Sequence, residues 1–254
     1  ALQLICGLGE EVGAALGQHM DVDMISFTGS TEVGRLFLQY SAQSNLKEVV
    51  LECGGKSPQV VFADALINEQ TVEHILSAAF WNMSENCSCG SRLIVHSSQK
   101  EALLSLLQEG LKSWKVGLPY DPEVAIGPMI ERAHFDKVVS YLDTAKAEGA
   151  TLVAGGRIHE EVGSGWYIEP TIFDNVSADM TLFKEEVFGP ILAITSFETE
   201  EEAITLANQS SYGLAASFYT QNIHRAFRVA AAIKAGTVSI NGFSEGDITT
   251  PFGG

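Results

Sequence analysis

Short apolar runs alternate with amphipathic stretches along nearly the whole chain. The runs at 2–6, 23–27, 47–52, 59–63, 93–96, 151–154, 167–173, 191–194, 215–219 and 237–241 read as strands. Between them, 10–19, 28–42, 69–81, 99–114, 131–148, 200–209 and 223–235 read as helices. A strand, a helix and a second strand return the chain to its sheet in the same direction. The expected class is therefore α/β with largely parallel sheets. With 254 residues, 46% of them apolar, there is ample material for a core, in one large domain or one and a half. No internal repeat or low-complexity tract interrupts the alternation.

Charge and cysteine usage exclude several functions. Lys and Arg number 15 and Asp and Glu 32, a net charge of −17, which argues against nucleic acid or an anionic membrane as partner. No apolar run approaches the about 18 residues of a membrane span, and no basic leader opens the sequence. Cysteines at 6, 53, 87 and 89 form no CxxC pair, and the six histidines are scattered, so no metal site is expected. Thiols of this kind fit a reducing, cytoplasmic setting. The sequence opens on a strand-like run with no initiator Met and ends on Pro-Phe-Gly-Gly at 251–254, which suggests a piece of a longer protein.

Four stretches carry chemistry. In Trp-Asn-Met-Ser-Glu-Asn-Cys-Ser-Cys-Gly-Ser-Arg at 81–92, Cys87 sits in a loop of small and polar residues between a helix and a buried strand. Such a loop can cradle a thiolate with backbone N–H groups, a setting for a nucleophile. Upstream, Glu52 closes an apolar strand just before Gly54 and Gly55, 35 residues from Cys87. That double glycine is the expected boundary between a first domain, 1–54, and a second, 55–254. At 28–34, Thr-Gly-Ser-Thr-Glu-Val-Gly leads a strand into a helix, which suits a phosphate, although the Lys-Ser/Thr of a P-loop is absent. A plain helix capped by Ser30 or Thr31 fits the same residues. At 182–190, Leu-Phe-Lys-Glu-Glu-Val-Phe-Gly-Pro sets Glu185, Glu186 and Phe188 in a stiff turn.

Taken together, 27–34, 51–58, 82–92, 185–190 and 251–254 resemble the aldehyde dehydrogenase superfamily, in the family's order and over nearly the whole chain. The ending at 241–254 is most similar to the branch acting on γ-glutamyl-γ-aminobutyraldehyde and related ω-amino aldehydes. Departures are Cys53, where the family usually has Leu, and Met83-Ser84, where Gln-Gly is common. The resemblance implies a partial Rossmann-like cofactor domain followed by an α/β catalytic domain. It implies NAD or NADP as cofactor, a small aldehyde as substrate, and a homo-dimeric or homo-tetrameric parent.

It also implies roles. Cys87 would attack the aldehyde, and Glu52 would activate the water that releases the acid. Gly29, Ser30 and Val33 would lie against the cofactor, the first two at its pyrophosphate. Glu186 would hold the nicotinamide ribose, Phe188 would pack near the nicotinamide, and Phe252 would line the aldehyde tunnel. Glu245 and Asp247, two carboxylates before Phe252, would suit a cationic substrate end; a solvated acidic turn fits them equally. Cys6 and Cys53 read as packing, Cys89 as inert filling, Arg92 as a pin for the loop, and Trp81 as core. The alternative is a folded but non-catalytic relative; acyl transfer by the cysteine half alone is a third reading, opposed by Glu186 and Phe188.

Overall fold

The computed structural model describes residues 2–160, 162–244, 246 and 248–254. The chain divides into two compact units, Ala1–Gly54 and Gly55–Gly254.

The smaller unit is a β-α-β element. A π-helical turn, Gly9–Gly13, runs into the short helix α1, Ala14–Gln18. Strand β1, Met24–Thr28, then leads through helix α2, Thr31–Gln43, to strand β2, Glu48–Glu52. β1 and β2 pair in parallel from Met24 opposite Glu48 to Thr28 opposite Glu52. Phe27 and Phe37 stack with ring centroids 4.8 Å apart, and buried Lys47 donates to the Gly17 carbonyl at 2.6 Å. The run at 2–6 is not a strand: it is exposed, and no described strand pairs with it. Cys6 is accordingly exposed and not a packing residue.

The larger unit is built on seven strands. In chain order they are β3 (Pro58–Val61), β4 (Arg92–His96), β5 (Thr151–Ala154), β6 (Thr171–Asp174), β7 (Ile191–Phe197), β8 (Ala215–Tyr219) and β9 (Thr237–Ile240). The helices are α3 (Glu69–Phe80), α4 (Ser97–Leu111), α5 (Arg132–Ala147), α6 (Thr181–Lys184), α7 (Glu200–Asn208) and α8 (Ile223–Ala232). The strand order is β5-β6-β7-β4-β3-β8-β9, and every pair is parallel except β5 with β6. Side chains alternate across this sheet. Val61, Leu93 and Val95 pack with Ile75, Leu76 and Leu107 of α3 and α4. Val60, Ile94 and Phe218 pack on the other face with Ala203, Ala226 and Val229 of α7 and α8. α6, too short to show a helical period in sequence, was not expected; it buries Leu182 and Phe183.

Register places the site. Pro58 pairs with Arg92, and Arg92 with Ala193. Because β3, β4 and β7 are adjacent and parallel, the segments that precede them arrive at one edge of the sheet. Those segments are 55–57, 85–91 and 185–190, the stretches singled out for their chemistry. Open α/β sheets commonly gather ligands at the carboxyl ends of their strands; here the candidate residues gather at the amino ends.

Candidate active site

The thiol loop is shaped by how α3 stops. Asn82, Met83 and Ser84 all have positive φ, a left-handed turn that costs free energy in residues bearing a Cβ. Packing holds it: Met83 lies against two core clusters, and buried Ser84 donates its hydroxyl to the Ala79 carbonyl. The turn throws Trp81 outward, so it is 60% exposed and not a core residue. Cys87 follows, half-buried. Asn86 Oδ1 accepts from the Ser88 backbone N–H at 3.1 Å, and Cys89 N–H donates to the Asn86 carbonyl at 3.1 Å. Cys89 is buried with its Sγ 3.2 Å from the Ala79 carbonyl, and burial pushes its thiol up to about 12.

Arg92 anchors the end of this loop. It is 1% exposed; its Nε donates to the Lys56 carbonyl at 2.9 Å, and its two terminal nitrogens to the Leu206 and Ala207 carbonyls at 3.0 and 2.9 Å. Its guanidinium stacks over Phe183 at 4.8 Å. One buried cation thus ties the segment entering β3 to β4, α6 and α7.

Gly55 stands between the thiol loop and the turn at 185–190. Its N–H donates to Glu186 Oε1 at 3.0 Å. A Cβ on Gly55 would lie 2.1 Å from the Cys87 carbonyl oxygen, so only glycine fits. Burial raises the Glu186 pKa; the Gly55 N–H and the charges of Lys56 and Lys137 oppose it. Lys56 itself is buried, and burial, aided by Arg92's charge, lowers it to about 7. Phe188 is half-buried at φ +58°, unusual for an aromatic residue. His134 on α5 holds that conformation, with Nε2 2.6 Å from the Phe188 carbonyl and 3.7 Å from Glu85 Oε1. Glu85 also accepts from the Ile130 N–H at 3.0 Å. Sequence reasoning missed Gly55, Glu85 and His134 as supports. Their contacts span tens of residues: Gly55 and Glu85 lie in stretches read for other reasons, and no local pattern marks His134.

In the smaller unit, Glu52 is half-buried at the end of β2, and its carbonyl accepts from the Gly29 N–H at 3.0 Å. Ser30 caps α2, its Oγ accepting from the Val33 N–H at 3.2 Å. The capping reading of this turn therefore holds. It leaves the exposed N-terminus of a 13-residue helix, whose dipole also suits a phosphate. Cys53 is half-buried; burial and the neighbouring Glu52 charge raise its pKa. In the larger unit Phe252 is 42% exposed. Glu245 and Asp247 lie outside the described residues. Among the described residues no group of three or more His, Cys, Asp or Glu could hold a metal, and no helix is long and apolar enough to cross a membrane.

The chain is 50% identical over 251 residues to an aminoacetaldehyde dehydrogenase of Pseudomonas aeruginosa, covering 99% of this chain and 50% of that protein. Its fold matches the crystal structure of the aldehyde dehydrogenase KauB from Pseudomonas aeruginosa with a TM-score of 0.95 at 45% identity, over 97% of this chain and 50% of that one. It matches an indole-3-acetaldehyde dehydrogenase complexed with NAD+ equally well, with a TM-score of 0.95 at 44% identity and the same coverage. The chain thus spans about half the length of these relatives. The model of the aldehyde dehydrogenase family matches residues 1–254 throughout, and the chain belongs to that family.

Proposed function

We propose that this chain carries the thiol half of an NAD(P)-dependent oxidation of an aldehyde to its carboxylic acid. The observation that carries the reading is Gly55, which has the Cys87 carbonyl on one side and the Glu186 carboxylate bonded to its N–H on the other. A candidate nucleophile and a candidate ribose-holding carboxylate thereby share one support.

The residues fit a dinucleotide. The exposed N-terminus of α2 with Gly29, Ser30 and Val33 suits a pyrophosphate, and Glu186 suits a ribose diol. When bound, the nicotinamide would supply a hydride acceptor. The Cys87 thiolate attacks the aldehyde carbon, and the oxygen that becomes negative accepts a hydrogen bond from the Cys87 backbone N–H. With the nicotinamide as the acceptor of its hydride, that carbon would become a thioester on Cys87. Glu52, assigned on its motif, takes a proton from the water that attacks the thioester, and the acid leaves with the thiol restored. Phe188 would flank the cofactor, and Phe252 would line the approach of the aldehyde. The proposed substrate is an amino aldehyde, as in the name of the aminoacetaldehyde relative. Glu245 and Asp247 are assigned to its cationic end on charge alone. The domain assignment follows, with 1–54 belonging to the cofactor domain and 55–254 to the catalytic domain, in a homo-oligomeric cytoplasmic enzyme.

The test is NADH formation from an amino aldehyde by the whole protein, wild type against Cys87→Ala. A fall of at least about 10³-fold is expected. Equal rates in both would remove Cys87 from the chemistry, and turnover by neither would favour the non-catalytic reading.

A further inference from the structure

Beneath α3, the larger sheet buries three side-chain oxygens for which the fold supplies no partner. Gln59 on β3 stands in register with Ser217 on β8, and Val61 with Tyr219. Val61 and Tyr219 pack with Ile75, Leu76 and Ala79 of α3. Residues two apart on a strand share a face, so Gln59 and Ser217 face α3 as well. Exposure is 0% for Gln59, 1% for Ser217 and 2% for Tyr219. Gln59 Nε2 donates to the Ile75 carbonyl at 3.1 Å and to the Gly90 carbonyl at 2.8 Å. Carbonyls only accept, so these two fix which end of the amide is the NH2. Oε1 is left as an acceptor, and Gln59 Oε1, Ser217 Oγ and Tyr219 OH have no hydrogen-bond partner in the fold. Burial raises the phenol's pKa, so Tyr219 remains a donor.

An acceptor and two hydroxyls therefore share one buried face; the Ser217 hydroxyl lies near enough to the Tyr219 phenol to act on its pKa, yet none of the three makes a well-formed hydrogen bond in the fold. Buried polar groups are almost always satisfied, and a buried water typically makes two to four such bonds. Space adjoins Tyr219: a cavity of about 210 Å³, lined by Tyr219, Thr71, His74, Thr220 and Asn241 among others.

We propose that Gln59, Ser217 and Tyr219 form a buried site for ordered water, and that through Gln59 this site braces the thiol loop. Gly90, three residues after Cys87, presses on the Gln59 amide so closely that a Cβ would lie 2.8 Å from it. Gly90 N–H in turn donates to the Ala78 carbonyl at 2.9 Å. Gln59 is a positioning residue: it sets where the loop re-enters β4, and water satisfies the end of the amide that the loop does not use. The consequence for catalysis rests on the Cys87 reading; the water site does not.

A crystal structure of the whole protein should show ordered water within hydrogen-bond distance of Gln59 Oε1 and Tyr219 OH. Tyr219→Phe should lower the unfolding midpoint by a few degrees, because the water loses a partner. A dry site overturns the proposal, and so does a midpoint that rises or stays unchanged, as expected when an orphaned hydroxyl is removed. For the brace, Gln59→Leu should change the rate of Cys87 alkylation by iodoacetamide, relative to exposed Cys6, by at least about threefold. An unchanged ratio in the folded variant removes the brace. If Gln59→Leu does not fold, Ser217→Ala is read by the same ratio and by loss of the water. Neither readout uses aldehyde or dinucleotide, so failure of the dehydrogenase reading would be told apart from failure of this one.

Discussion

The two units obey the same local rules and finish with different interiors. In the smaller one, β1 and β2 pair in parallel and α2 forms its helical ladder, yet no apolar side chain among its described residues is buried; Met24, Leu38 and Val50 stand exposed. In the larger one, seven strands covered by helices enclose three apolar clusters. A β-α-β pair closes a ladder but cannot surround anything, and two strands are marginal by themselves. Alternation of elements therefore predicts fold class well and stability poorly.

Hydrogen exchange on this chain would put that contrast under the greatest strain. Amides of β1 and β2 should exchange about a thousandfold faster than those of β4 and β7, because local opening exposes little apolar surface in the first and a full core in the second. Equal protection would break the comparison. A second measurement sharpens it from the stable side. Arg92→Met leaves three buried carbonyls without their donor, so the larger unit should lose about 4 kcal/mol. Trp81, Trp114 and Trp166 all lie in that unit, so their fluorescence in urea reports it alone. A midpoint within error of wild type would show that Arg92 is no clamp.

The smallest effect concerns pH. Buried Lys56, lowered to about 7, has given up its proton in the folded unit at pH values where the unfolded chain still holds it. Between that value and the ordinary lysine range, stability contributed by this group climbs as pH rises; below it the full cost of the buried charge remains. Lys56→Met should therefore exceed wild type in stability by most near pH ~6, and the gap should narrow by pH ~9. A gap independent of pH would mean that Lys56 does not titrate in this window.

Much of the candidate site was legible locally. The loop around Cys87, the turn holding Glu186 and Phe188, and the capped entry to α2 each announce themselves within about a dozen residues, because small residues, glycines and a proline dictate unusual backbone. Arg92 as a pin was legible too, since an arginine opening an apolar strand needs buried acceptors. Trp81 was misread because apolar spacing continues past Phe80, whereas the backbone reverses hand at Asn82 and turns the ring outward. Cys6 was misread because a strand-like run becomes a strand only when another strand accepts its hydrogen bonds.

By itself the sequence determined the alternation of elements, the class, the family and the residues able to do chemistry, since each depends on short-range spacing and residue type. Tertiary structure decided which of them meet. Parallel register of β3, β4 and β7 brings Gly55, Cys87 and Glu186 to one edge, His134 reaches Phe188 across 54 positions, and Gln59 meets Gly90 across 31. Those contacts follow from strand order and pairing, which are settled by burial of the whole sheet and leave no mark in any single stretch of the chain.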